Sequence, residues 1–584
     1  MKLKSFGIRL RLLLKKFIID VRHTHLKDLR NSFLSSLKKL PDVVHLKNLV
    51  LFGSILCLFT LALFVQRFAS LRDFYFIERP DFGGSYSQGV VGSIDKINPL
   101  FIQNDAEKAA NLLVYSGLTR TINGTQIIPD LAESWEVKDS GKSYAFKLHK
   151  DVKWHDDIIF TADDVIYTIG LIQNADTKSG LESVWKGVLV EKVSDYEVKF
   201  TLPSAYPGFL AVTNQAILPS HLLSTVDPKN VKIAEFNLNP VGTGPYKFTR
   251  FDQLGNQLEA IFTRNERFQI SRPYLDQIKL VMYDDSASEF QGLARKQIDG
   301  VFAISAADYR NIDQLSGINI LKKLYPDFQV VFFNLRNPIL ADRDLRVSLS
   351  SAIDREELVS KVLLGQGLKQ SAPLVPGQSG FDPKVKGIEY NADNSNTALD
   401  KAGWVKGTDG IRAKEGKRLV FRLVYSDSYE ASEDAKLLKS QLNKVGVSLE
   451  LISSNEDQVG ANYIRPRNFD LLLFNQNVGL NQDWYSLWGS SQVNSPGLNL
   501  SGFADKKLDR FVEQVRSSSD DKYRAERMKQ VEQILIEQAP AIYLYRPIHL
   551  SGFSQKIKGI DQSKLSSSTD ILSNVYLWYQ RVKG

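Results

Sequence analysis

Cysteine is nearly absent: Cys57 is the one such residue in 584. That excludes an intramolecular disulfide framework and any multi-cysteine metal site. Histidine is sparse as well. His23, His25 and His45 sit near the start, and His149, His155, His221 and His549 are scattered. His149 and His155 lie six apart and share no helix face, so no metal site is expected. Neither G-x-S-x-G nor H-E-x-x-H occurs. Gly141-Lys142-Ser143 ends like a phosphate loop, but Glu136 stands five positions earlier, where that loop needs glycine. Gly242-Thr243-Gly244-Pro245 lacks the third glycine of a dinucleotide fingerprint and reads as a turn. The acids of Asp156-Asp157 and of Asp163-Asp164 are adjacent, so their side chains diverge, which suits capping or surface roles. No nucleophile and base come together. Neither an enzymatic reaction nor a cofactor is expected.

A general excess of charge is also missing. The formal charge of +8 comes from 74 basic and 66 acidic side chains. Residues 1–48 carry 12 Lys/Arg against 3 Asp/Glu, leaving 62 basic and 63 acidic residues elsewhere. Nucleic-acid binding by the body is therefore not expected, because it needs a basic footprint there. With 43% hydrophobic and 24% charged residues the chain is ordinary globular matter.

Only one long apolar run is present. Leu49 to Val65 (LVLFGSILCLFTLALFV) carries no charge and is bracketed by Lys47 and Arg67. It sits at the short end of the ~17–25 residues that span hydrocarbon. It starts late for a cleaved signal and lacks an A-x-A-like site. Cys57 follows Leu56 inside the run, which argues against lipidation. The expectation is a single-pass anchor over 49–68, a basic cytoplasmic tail over 1–48 by the positive-inside rule, a stalk over 69–82, and a body outside the cell membrane.

In the body, strand-like runs recur at Ile278 to Tyr283, Gln329 to Asn334, Leu419 to Tyr425, Val447 to Ile452, Asp470 to Phe474 and Ala541 to Tyr545. Between the third and fourth, Ala435, Leu438 and Leu442 recur at helical spacing and Gly446 suits a C-cap. This β-α-β grammar implies an α/β class with a parallel or mixed sheet. Ligands of such sheets bind beyond the carboxyl ends of strands. The stretch after Phe474, dense in amides and aromatics, is the most site-like in the chain: Asn475, Gln476, Asn477, Gly479, Asp483, Trp484, Tyr485 and Trp488.

Four phrases in chain order resemble one family. They are Pro129 to Thr168 (PDLAESWEVKDSGKSYAFKLHKDVKWHDDIIFTADDVIYT), Pro240 to Phe248 (PVGTGPYKF), Asn334 to Gly367 with Ala352-Ile353-Asp354-Arg355, and Ala398 to Trp404 (ALDKAGW). Together they resemble the family 5 solute-binding proteins of bacterial ABC importers, which include dipeptide-, oligopeptide- and nickel-binding proteins. The resemblance implies a two-lobed, type II periplasmic-binding-protein-like fold with an extra subdomain. Lobe I would be 83–104, 226–326 and 546–584, the subdomain 105–225, and lobe II 327–545, with crossings near Tyr325 to Asn334 and Ala541 to Pro547. It further implies a monomer that captures a peptide or similar small solute, closes on it and delivers it to permease subunits. Nickel chelates and oligosaccharides are alternative ligands, and a sensor without a transport role is an alternative function. Tyr325 would flank the cleft and Trp185 would face it. Tyr543 and Tyr545 flank Leu544, so strict alternation puts both on one strand face, from which Tyr545 reaches the ligand. Peptide binders of the family place an aspartate soon after the last lobe II strand, opposite the ligand's ammonium. Here Gly479 or Leu480 stands there, so either Asp483 serves or the ligand lacks a free N-terminus.

Overall fold

The computed structural model describes residues 35, 51–61, 64 and 79–583, apart from 123, 125, 207, 256, 480–482 and 561–564. Contacts divide the chain into Met1–Arg79 with Lys583–Gly584, and Pro80–Val582. In the first unit residues 51–61 are helical. Among the described residues no helix is long and apolar enough to cross a membrane. The rest of the run expected to anchor the chain, most of the basic tail, and residues 65–78 lie outside the described residues. The expected stalk ends before residue 82, because Phe82 stacks on Tyr274 at 5.1 Å and lies beneath the guanidinium of Arg272 at 4.2 Å.

The second unit is mixed α/β with two lobes. Its first large sheet has seven strands in the spatial order Ile318–Lys323, His549–Ser554, Gly300–Val301, Ser85–Val91, Gln277–Tyr283, Gln257–Arg264 and Tyr246–Leu254. Its second has six: Gly367–Lys369, Ala541–Pro547, Asp327–Phe333, Leu471–Asn477, Val420–Ser426 and Ser448–Ser454. The chain passes between them twice, from Lys323 to Asp327 and from Pro547 to His549. A separate four-stranded antiparallel sheet, Ala132–Lys138, Ser143–Leu148, Glu197–Thr201 and Leu189–Ser194, shares one apolar core with the seven-stranded sheet. In that core Phe146 and Phe200 of the small sheet join Tyr86 and Ile278 of the large one.

The six-stranded sheet shows why its apolar runs were readable. All seven residues of Asp327–Phe333 are buried. Val331 and Phe333 enter the core on one face, while Val330 and Phe332 enter the core on the other. A strand covered on both faces reads as continuous apolar sequence. The β-α-β unit is present as Val420–Ser426, the helix Tyr429–Lys444 and Ser448–Ser454, with the two strands parallel. Ala435, Leu438 and Leu442 are buried beneath that helix, and Gly446 takes φ 84° where the chain turns back into the sheet.

The expected alternation of Tyr543 and Tyr545 fails. Gln329 pairs with Tyr545 but the next residue, Val330, pairs with Tyr543, so Leu544 is an extra residue in the strand. Such a bulge reverses the facing of the residues beyond it. Tyr543 enters one core and Tyr545 the opposite one, where its hydroxyl donates to Asp434 at 2.5 Å. Burial pushes the Asp434 carboxyl up to about 8.

Candidate functional site

A cavity of about 800 Å³ is lined by residues reached from both large sheets. Its first wall is built where the helix Asp105–Val114 ends. Asn104 caps the start of that helix, and Tyr115 and Ser116 follow its last turn into the lining. The turn Gly242 to Pro245 is pressed against this helix end. The Gly244 N–H donates to the Val114 carbonyl at 2.8 Å. A Cβ on Gly242 would stand 1.9 Å from that same oxygen, so only glycine lets the two backbones approach. His155 braces the turn from outside: its Nδ1 accepts from the Gly242 N–H at 3.3 Å and its Nε2 donates to the Gly244 carbonyl at 3.0 Å. That pattern requires the neutral ring, and burial lowers the His155 pKa to about 4.

The hairpin Thr119–Ile122 with Gln126–Pro129 continues the first wall and supplies Arg120 and Asp130. Arg120 donates to the Tyr576 hydroxyl at 2.8 Å and lies 5.2 Å from that ring's centre. Asp130 is 7% exposed and accepts from Gln269 Nε2 at 2.6 Å. Burial raises its carboxyl to about 6, against the opposing pull of Gln269, Arg120 and Ser116. Lys108 and Asp570 also line the cavity and pair with each other at 2.8 Å.

The second wall starts at the end of the strand Leu471–Asn477. Gly479 lines the cavity at φ 55°, with its carbonyl held by Gln378 at 2.8 Å. Asp483 caps the short helix Trp484–Trp488 by accepting from the Tyr485 N–H at 3.1 Å. Burial raises the Asp483 carboxyl, and Arg516, 3.4 Å away at Oδ2, counters it. Arg516 belongs to the helix Lys506–Ser517, which packs Leu508, Phe511, Val512 and Val515 inward. Its guanidinium lies 5.2 Å from the Tyr485 ring and 5.4 Å from the ring of Tyr206, which follows the four-stranded sheet. Burial pushes Tyr206 up to about 12. Elsewhere between the large sheets, Asn477 donates to the Ser566 carbonyl at 2.8 Å and the Ala306 N–H to Glu430 at 2.8 Å. At the crossings, His549 bonds Asp327 at 2.8 Å, Tyr325 packs on the His549 ring at 4.7 Å, and Arg546 donates to the Tyr325 carbonyl at 3.0 Å.

Of the residues expected to line a site, Gly479, Asp483 and Tyr485 do so. Asn475, Gln476 and Asn477 are not loop residues. They continue the strand, paired with Gln329, Phe328 and Asp327, and are absent from the lining. Trp484 and Trp488 are turned away: once Asp483 starts a helix, residues four apart share a face, and this face packs into the core with Trp488 against Phe332 at 6.1 Å. Trp185 is 2% exposed and sits between Phe200 and Phe209, inside the core of the small sheet. Tyr325 and Tyr545 are buried at the crossing and in the six-stranded sheet, not in the cavity. Sequence reasoning missed Arg120, Asp130, Tyr206 and Arg516. Asp130 stood inside the quoted phrase Pro129 to Thr168, and the other three carried no signal of their own.

Two α/β lobes, joined by two crossings and enclosing a cavity that both line, define the solute-binding class. The pattern of the bacterial extracellular solute-binding proteins, family 5 (middle region), matches residues 126–496. The oligopeptide-binding protein AppA of Bacillus subtilis is 30% identical over 492 residues, covering 82% of this chain and 89% of AppA. The structure of that protein in complex with a nonapeptide superposes with a TM-score of 0.77 at 28% identity, covering 86% of this chain and 100% of AppA. NikZ from Campylobacter jejuni in complex with Ni(L-His) gives a TM-score of 0.75 at 28% identity, covering 85% and 99%. The chain belongs to the family 5 extracellular solute-binding proteins.

Proposed function

We propose that this chain captures short peptides between its two lobes and delivers them to the permease of an ABC importer. The observation that carries this reading is the cavity itself. Its volume of about 800 Å³ lies within the range of small-ligand sites, ~300–1,000 Å³. Polar groups and aromatic rings from both lobes line it. A ligand touching both walls stabilises the closed arrangement in proportion to its extra contacts there. The names of relatives that bind oligopeptides and a nonapeptide support the peptide class. A nickel chelate is the second reading, favoured by the likeness to NikZ; among the described residues no histidine lines the cavity.

The uncharged run Leu49 to Val65, with its basic flank, supports a finer reading in which one N-terminal helix tethers a monomeric body outside the cell membrane. Mass spectrometry of what co-purifies with the full chain tests the ligand class. A ladder of short peptides is expected, and a single nickel-containing species would replace the peptide reading.

A further inference from the structure

Two acids that line the cavity, Asp483 of the second wall and Asp570 of the first, are answered by cations, whereas a third, Asp130 of the first wall, is not. Asp483 is held by the Tyr485 N–H and by Arg516. Asp570 is held by Lys108 and by the Ser567 N–H at 2.8 Å. Asp130 is as buried as a core residue, yet among the described residues it makes no ion pair. Its side-chain partners, Gln269 and Ser116, are neutral, and Arg120, whose charge pulls on it, donates to the Tyr576 hydroxyl and does not close an ion pair with it. A carboxylate removed from water needs a cation or several donors to remain charged. Here that carboxylate faces a cavity large enough to admit one. At the strand end of the second wall the corresponding place is Gly479, which offers only a carbonyl already taken by Gln378.

We propose that Asp130 is the specificity residue of this cavity and receives a primary ammonium group of the ligand. The group is the α-ammonium of a peptide or a lysine side chain. The ligand's amine thereby docks on the first lobe before the second lobe closes. This rests on the peptide reading above. Burial raises the Asp130 carboxyl, which fits a group whose charge a cationic partner would restore.

Three pentapeptide libraries of mixed sequence test it by equilibrium dialysis against the full chain, with retention read by mass spectrometry. One has free amino termini and no lysine, one is N-acetylated without lysine, and one is N-acetylated with lysine. One or both amine-bearing libraries should be retained about thirty-fold better than the amine-free one, the scale of a desolvated charge pair. Which of the two is retained identifies the source of the ammonium. Asp130→Asn keeps an acceptor for Gln269 and should bring the ratio near one, whereas Asp130→Glu should keep part of it. Equal retention of all three libraries by the wild type overturns the amine site and leaves the peptide reading standing. So does a ratio that survives in Asp130→Asn. Should Asp130→Asn not fold, Asp130→Ser and the wild-type ratio decide. Retention of no library overturns the peptide reading and the amine site together.

Discussion

The two walls of the cavity use charge differently. The second wall closes its charges on themselves: Asp483 caps a helix, pairs with Arg516, and that arginine reaches over Tyr485 to the Tyr206 ring on the opposite side. The first wall pairs Lys108 with Asp570, but its turn is fixed by neutral means, the glycines seated on the helix end and the uncharged imidazole of His155. Among the described residues it keeps one buried acid, Asp130, outside any ion pair. The contrast amounts to a division of labour. One wall spends its charge on a contact that reaches the opposite side, and the other keeps an acid for the guest.

Disrupting the core side of the second wall should have the largest effect. Trp488→Ala removes a buried indole from beneath the helix that carries Asp483 and Tyr485. It should lower unfolding stability by about 3–5 kcal/mol, measured by urea denaturation. Tyr485→Ala, one turn away on the cavity side, should cost under about 1 kcal/mol by the same measure.

The first wall is disrupted most selectively by acid. His155 has a folded-state pKa near 4, below its ordinary value of about 6.5. The unfolded chain therefore binds more protons at this site between those values, and stability falls as pH drops through that window. The loss should be on the order of 2 kcal/mol between pH 7 and pH 4. His155→Gln, which keeps a donor and an acceptor, should shed that share of the acid sensitivity. Thermal unfolding at the two pH values checks it.

The smallest effect on stability belongs to the contact between the walls. Arg516→Ala removes that contact, while its pair with Asp483 is half-exposed and worth about 0–1 kcal/mol. Stability should hardly change, yet affinity for mixed pentapeptides should fall roughly tenfold, read by titration calorimetry. An unchanged affinity would remove Arg516 from the closure.

Much of this architecture was legible in the sequence because burial on both faces leaves unbroken apolar runs, as in Val330 to Phe333 and Leu471 to Leu473. The β-α-β unit was legible because Ala435, Leu438 and Leu442 mark one helix face. The bulge at Leu544 was not, since register belongs to the pairing with Gln329 and Val330 and not to the strand's own residues. Nor was the strand's continuation through Asn475 to Asn477, whose polar side chains conceal a backbone fully paired with Asp327 to Gln329. The aromatic-rich loop drew attention to Trp484 and Trp488, but composition alone does not tell which side of a five-residue helix faces the core. Asp130 looked like any motif acid until the fold placed it in a cavity.

Closure itself is best measured by the distance between spin labels on the two lobes. Val193 on the four-stranded sheet and Val405 beside the six-stranded sheet are both exposed, and Cys57→Ser frees the chain for Val193→Cys and Val405→Cys labelling. On adding mixed pentapeptides with free amino termini, the distribution should collapse to one shorter, narrower peak. Bound peptide with an unaltered distribution would contradict capture by two closing lobes.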